Sequence, residues 1–211
     1  MVDPQSGLEP GSGADLSAAK LALRDQVLTA RNRRSLVERS EVAQAIATHL
    51  LAAAEVRRAA TVAAYVAVGS EPGTAPLLAG LVAAGKRVIL PVLLADRDLD
   101  WAVYRSDEDL VPARLGLLEP SGPSLGVDAV ATADIVLVPG IAVSQSGDRL
   151  GRGGGSYDRT LGRIPVGTFT CVLLHDEELG LDVPVESHDR SVTAAATPSG
   201  ITRFVTPSQA L

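Results

Sequence analysis

The spacing of apolar residues changes period several times along this chain, and each change predicts an element boundary. Residues 16–34 and 36–56 carry helical spacing. In the second stretch Val42, Ile46 and Leu50 recur at four-residue intervals and share one face, which should be buried. Asp15 or Ser17 is available to cap the first helix. Residues 61–68 form a β-branched and Ala-rich run bounded by Gly69, and 87–94 form another; the helical stretch 74–84 between them completes a β-α-β unit. Residues 101–104 predict a short strand, 134–138 a buried strand ending at Pro139-Gly140, and 167–174 a further strand. Between the last two lie a glycine-rich turn and a helix over 156–161. This alternation predicts the α/β class: an open, mostly parallel sheet flanked by helices, with ligands bound beyond the carboxyl ends of the strands. The turn after Val138 lies at such an end.

The length of 211 residues suits one domain, expected over 14–211, preceded by a Gly-, Pro- and Ser-rich stretch, 1–13, expected to be a disordered tail. Hydrophobic residues make up 46% and aromatics only 3%, so the core must be built from Ala, Val and Leu, and Tyr157 beside a polar loop stands out. The net charge of -6 supplies no basic field for a nucleic-acid backbone. The lone Cys171, in the apolar run 170–174, reads as a buried strand residue of a protein from a reducing compartment. Residues 1–13 lack a basic and an apolar signal region, and Gly85, Lys86, Arg87 and Pro91 interrupt the most apolar window, 77–95. No membrane span is expected, and a cytoplasmic location is.

Candidate chemistry concentrates in 139–143 and 147–159. Gly151, Gly153, Gly154 and Gly155 let backbone approach a ligand closely, and the helix after them offers free N–H groups to an anion. With Arg149 and Arg152 these describe a phosphate cradle, and Asp158, just inside the helix, is a carboxylate placed to hold Mg²⁺ between phosphate oxygens. A dinucleotide fingerprint is excluded because Ser156 stands at its sixth place, and no Lys comes after the glycines as a P-loop requires. The near miss at 80–86 ends a helix, with Gly85 as its left-handed cap. Lys20, Arg24 and Arg31 lie near one helical face, a basic stripe that fits either an anionic partner or a solvated surface. Glu186, His188 and Asp189 share a short loop that fits proton transfer, a metal site with Asp158, or a plain hydrogen-bonded turn. His49 and His175 read as structural, and neither a zinc cluster nor a nucleophile elbow is present in the sequence.

Taken in order, these motifs resemble the 5-formyltetrahydrofolate cyclo-ligase family. The likeness spans Lys20-x-x-x-Arg24, the 65–71 strand and loop followed by Gly73-Thr74, Gly85-Lys86 with Leu90-Pro91, Glu119-Pro120, the 139–159 signature, and Pro184-x-Glu186-x-His188-Asp189. The resemblance implies that Lys20, Arg24 and the loop Arg149, Leu150, Gly151, Arg152, Gly153, Gly154, Gly155, Ser156 and Tyr157 bind ATP, with Arg149, Arg152 and Tyr157 closest to the chemistry. It implies that Asp158 and Asp189 hold Mg²⁺, and that Val66, Glu71 and 152–156 contact the folate. It further implies a monomer that converts 5-formyltetrahydrofolate, including polyglutamylated forms, to the 5,10-methenyl compound with release of ADP and phosphate. The chain departs from the family pattern at Ser156 and Leu115, where aromatics are usual, and at Ser144, His175, Thr193 and Pro198. Two other readings stay open at this level: a non-catalytic ATP or folate binder, and a sugar-phosphate isomerase or CoA-transferase-like enzyme on a related fold.

Overall fold

The computed structural model describes residues 13–205; the expected tail otherwise lies outside the described residues. Helix α1 covers Gly13–Asn32. Asp15 therefore sits inside its first turn, where it acts on the helix dipole, and Ser17 is interior, so neither is the expected cap. Helix α2, Leu36–Ala52, opens on a capping box in which Ser35 and Glu38 satisfy each other's backbone N–H. It buries the face carrying Val42, Ile46 and Leu50, as the spacing predicts. The expected single helix to residue 56 breaks at Ala53, whose ψ of 138° is extended, and resumes as α3, Ala54–Arg58.

Strand β1, Thr61–Ala63, is shorter than the apolar run that contains it. Past Ala64 the amides leave the sheet for side-chain acceptors: Ala67 N–H donates to Thr74 Oγ1 and Val68 N–H to Glu71 Oε2. Next in the chain are α4 (Ala75–Ala83), β2 (Arg87–Leu93) and β3 (Leu99–Tyr104). Gly85, at φ +74°, ends α4 as a left-handed cap, and Lys86 Nζ donates to Ala59 O at the end of α3. Two short hairpins come next in chain order around the strand β6: β4 (Leu110–Pro112) with β5 (Leu118–Pro120), then β6 (Ile135–Pro139), then β7 (Ala142–Val143) with β8 (Arg149–Leu150). Helix α5 (Ser156–Arg163), β9 (Phe169–Leu173), β10 (Ala194–Thr197) and β11 (Gly200–Arg203) complete the described chain.

The main sheet runs in the order β11-β10-β9-β6-β1-β2-β3. All neighbours from β10 to β2 are parallel, and the edge strands β3 and β11 are antiparallel. This is the open, mostly parallel α/β sheet that the alternation of elements predicts. Its inner strands read as continuous apolar runs because both faces are covered. Val62, Val88, Ile135 and Cys171 face α2 and α4 in one core layer. Their neighbours Ala63, Ile89, Val136 and Val172 face Trp101, Val130 and Leu161 in the other. No helix among the described residues is long and apolar enough to cross a membrane.

Candidate active site

Strand β6 delivers the chain to Pro139-Gly140 at the carboxyl edge of the sheet, where close packing leaves no room for a side chain. A Cβ on Gly140 would lie 2.4 Å from Val172 Cγ2, so glycine is required there. The β7–β8 hairpin then turns back and releases the loop 151–155 into α5. Gly153 and Gly155 hold φ of +91° and +70°, values that L side chains rarely adopt, and Gly155 is the residue from which α5 starts. Asp158 is consequently in the first turn of α5, as predicted.

This loop lines a cleft of ≈ 330 Å³ together with an apolar set: Pro91 and Leu93 of β2, Leu99 of β3, and Leu115, Leu117 and Leu118 of the β4–β5 hairpin. Val66, Glu71, Arg149, Gly151, Arg152, Gly153, Gly154, Gly155, Ser156, Tyr157 and Asp158 all line it. Arg149 is 5% exposed; its Nη2 donates to Asp158 Oδ1 (3.0 Å), its Nη1 to Pro139 O (3.3 Å), and its guanidinium lies 6.0 Å from the Tyr157 ring centre. Arg152 Nε donates to Glu71 Oε1 (3.0 Å) while the side chain stays 52% exposed, which leaves it charge to offer a ligand. Burial, reinforced by the Glu71 charge and opposed by Arg149, raises the Tyr157 pKa, so its phenol is a proton donor rather than a phenolate.

The basic stripe on α1 turns out to be neither solvated nor free. Lys20 Nζ donates to Glu186 (2.7 Å) and Asp189 (2.5 Å), Arg24 Nε to Gly151 O (2.8 Å), and Arg31 to both carboxylate oxygens of Glu178 and to Gly140 O. Burial opposes the charge on Lys20, but the two carboxylates outweigh it and raise its pKa. Burial likewise pushes the Asp189 carboxyl up, and Lys20 with the Glu186 N–H brings it below the ordinary range. Leu150 is 1% exposed and packs with Val27, Ile141 and Val183, so its side chain serves the core and does not line the cleft.

The expected metal ligands come close without meeting. Asp158 Oδ1 accepts from the N–H of Arg190, the residue after Asp189. The tight group of possible ligands among the described residues is Glu186, His188 and Asp189, and Asp158 lies outside it. Asp158 Oδ2 accepts no hydrogen bond among the described residues, so hard oxygen donors suited to Mg²⁺ stand on both adjoining segments. His49 bonds Pro198 O and His175 is buried, both structural as expected.

Sequence reasoning singled out Leu115, as a departure from the family pattern, but missed the rest of the apolar lining and Tyr65, which also lines the cleft. The other leucines of the hairpin carry no chemistry to mark them, and strands of three residues leave little periodic signal. Glu119 was visible only as part of a motif; here its Oε1 accepts from Leu93 N–H and ties the hairpin to β2.

An open sheet with a cleft beyond the carboxyl ends of its parallel strands defines an α/β protein of the kind that binds its ligand at the strand ends. The profile of the 5-formyltetrahydrofolate cyclo-ligase family matches residues 16–198. Among similar proteins, the 5-formyltetrahydrofolate cyclo-ligase of Mycolicibacterium smegmatis is 40% identical over 85% of this chain and 94% of its own length. That of Escherichia coli is 35% identical over 81% and 97%. The solved structure of 5,10-methenyltetrahydrofolate synthetase from Aquifex aeolicus superposes with a TM-score of 0.78 at 25% identity, covering 91% of this chain and 95% of that one. The chain belongs to the 5-formyltetrahydrofolate cyclo-ligase family, ligases of folate one-carbon metabolism.

Proposed function

We propose that the protein uses ATP and Mg²⁺ to convert 5-formyltetrahydrofolate to 5,10-methenyltetrahydrofolate, releasing ADP and phosphate, as a single-domain cytoplasmic monomer. The observation that carries this reading is the mixed lining of the cleft, which combines arginines and a glycine-rich helix entry from one segment with leucines and a proline from β2, β3 and the β4–β5 hairpin; we call these the first and second walls. The first wall suits phosphates and the second suits a flat ring system. In the reaction the formyl oxygen takes the γ-phosphoryl group and ADP leaves; N10 then attacks the activated carbon, and phosphate departs. Such transfers need little covalent help and depend on alignment and charge neutralisation.

Arg149 and Arg152 carry the positive charge that meets the phosphates, and residues 153–156 line the same cleft with backbone N–H groups to offer. Asp158 and Asp189 would hold the Mg²⁺ that neutralises phosphate oxygens, which requires Lys20 to share or release Asp189. Lys20 and Arg24 supply further charge from α1, and Val66 and Glu71 meet the folate. Turnover of purified protein with ATP, Mg²⁺ and 5-formyltetrahydrofolate, monitored by the near-ultraviolet absorbance of the methenyl product, tests the proposal. Product formation strictly dependent on both ATP and Mg²⁺ is expected; nucleotide binding without product at saturating folate would replace it with the non-catalytic binder.

A further inference from the structure

Two buried donors in the cleft lack a partner among the described residues: Arg149 Nε and the Tyr65 hydroxyl. Arg149 already uses its other nitrogens on Asp158 and Pro139 O, whereas the hydroxyl is the only donor of its side chain. Tyr65 stands just past β1, where the chain leaves the sheet, and is 3% exposed. Its ring packs in the core layer under α2 while the residue also lines the cleft. A phenol held out of water without a partner destabilises the fold, and phenylalanine would fill the same space without that cost.

The surroundings indicate what the hydroxyl meets. Burial and the nearby Glu71 carboxylate keep it protonated. Glu71 accepts from Val68 N–H and Arg152 Nε and retains lone pairs for one more donor. A carboxylate at this position repels a phosphate. A donor and an acceptor that line the same cleft, close enough for the carboxylate charge to act on the phenol but not bonded to each other, match a neutral heterocycle that presents a carbonyl next to a ring N–H. We propose that Tyr65 is a substrate-binding residue whose hydroxyl donates to the carbonyl oxygen of the folate's fused heterocycle, beside Glu71, and that it makes no contact with ATP. This deepens the function proposed above and rests on it.

Tyr65→Phe keeps the ring and removes only the hydroxyl. Calorimetry with 5-formyltetrahydrofolate, and separately with Mg²⁺-ATP, is expected to show folate affinity reduced roughly three- to tenfold and ATP affinity unchanged. Because the unmet donor is gone, the melting temperature of the unliganded variant should rise by roughly 2–6 °C. A lowered melting temperature would mean that the hydroxyl has a partner in the free protein, and an unchanged folate affinity would mean that it has none in the complex; either result overturns the inference. If the wild-type protein itself fails to bind the folate, the proposed function falls with it. If only the variant behaves like wild type, the proposed function stands and this assignment alone is lost.

Discussion

His175 lies just beyond β9 and is 1% exposed. Burial, helped by the charges of Arg34 and Arg31, lowers its pKa to about 4 from 6.5. A histidine kept neutral in the fold but free to protonate when unfolded contributes stability that is whole above pH 6.5 and is lost as pH falls toward 4. Unfolding by urea at pH 5 should therefore show about 2 kcal/mol less stability than at pH 7, and His175→Gln should flatten most of that difference. An identical pH slope in the variant would assign the loss to carboxylates instead. Single residues were legible in the sequence where their chemistry is carried by local pattern, as with Gly155, Asp158 and Gly85. For Lys20 and Arg31 the basic face was legible but the partners were not, because nothing near them in the chain announces the acids they meet. Tyr65 was hidden for another reason: an apolar strand end and a cleft floor look alike until the strand is seen to stop at Ala63.

The β4–β5 hairpin brings exposed apolar side chains to the cleft. At its turn Leu115 is 84% exposed and sits at φ +58°, a conformation that costs a branched residue on the order of 1 kcal/mol. Packing does not repay that cost, since the side chain touches little in the free protein, and the compensation is expected from ligand contact. Leu115→Gly removes that strain but adds freedom of similar cost to the unfolded chain, so urea stability should stay within about 0.5 kcal/mol of wild type, while the KM for 5-formyltetrahydrofolate rises roughly three- to tenfold and the KM for ATP is unchanged. A large fall in stability with unaltered KM would make the hairpin a structural element only. At this scale the long helices and the central strands were readable from apolar period, whereas β10, β11 and the two small hairpins were not. Ala194–Thr197 has neither aromatic nor strong alternating character; it is a strand because β9 and β11 flank it.

Across the whole molecule α1 acts as a tie laid over the carboxyl ends of the strands. It reaches the 186–189 loop through Lys20, the glycine loop through Arg24, and the segments after β6 and β9 through Arg31. Replacing Lys20 and Arg24 together by Ala should weaken nucleotide binding about tenfold and reduce its dependence on salt, measured by calorimetry at low and high ionic strength. Unchanged affinity would restrict both residues to holding the loops. The sheet order was foreseeable in class from alternating elements, but no sequence pattern reveals that one helix spans so many loops, since periodicity reports a buried face and not its partner. The tie also sets an order of assembly. The groups that Lys20, Arg24 and Arg31 bond lie 109 to 169 positions downstream; such contacts are slow to form, and the one from Lys20 to Asp189 must wait until residue 189 has left the ribosome. Among the elements that meet at the cleft, α1 is thus made early and tied down late: its hold on the 186–189 loop can close only as β10 and β11 are about to join the sheet, so the cleft and the sheet edge are finished together.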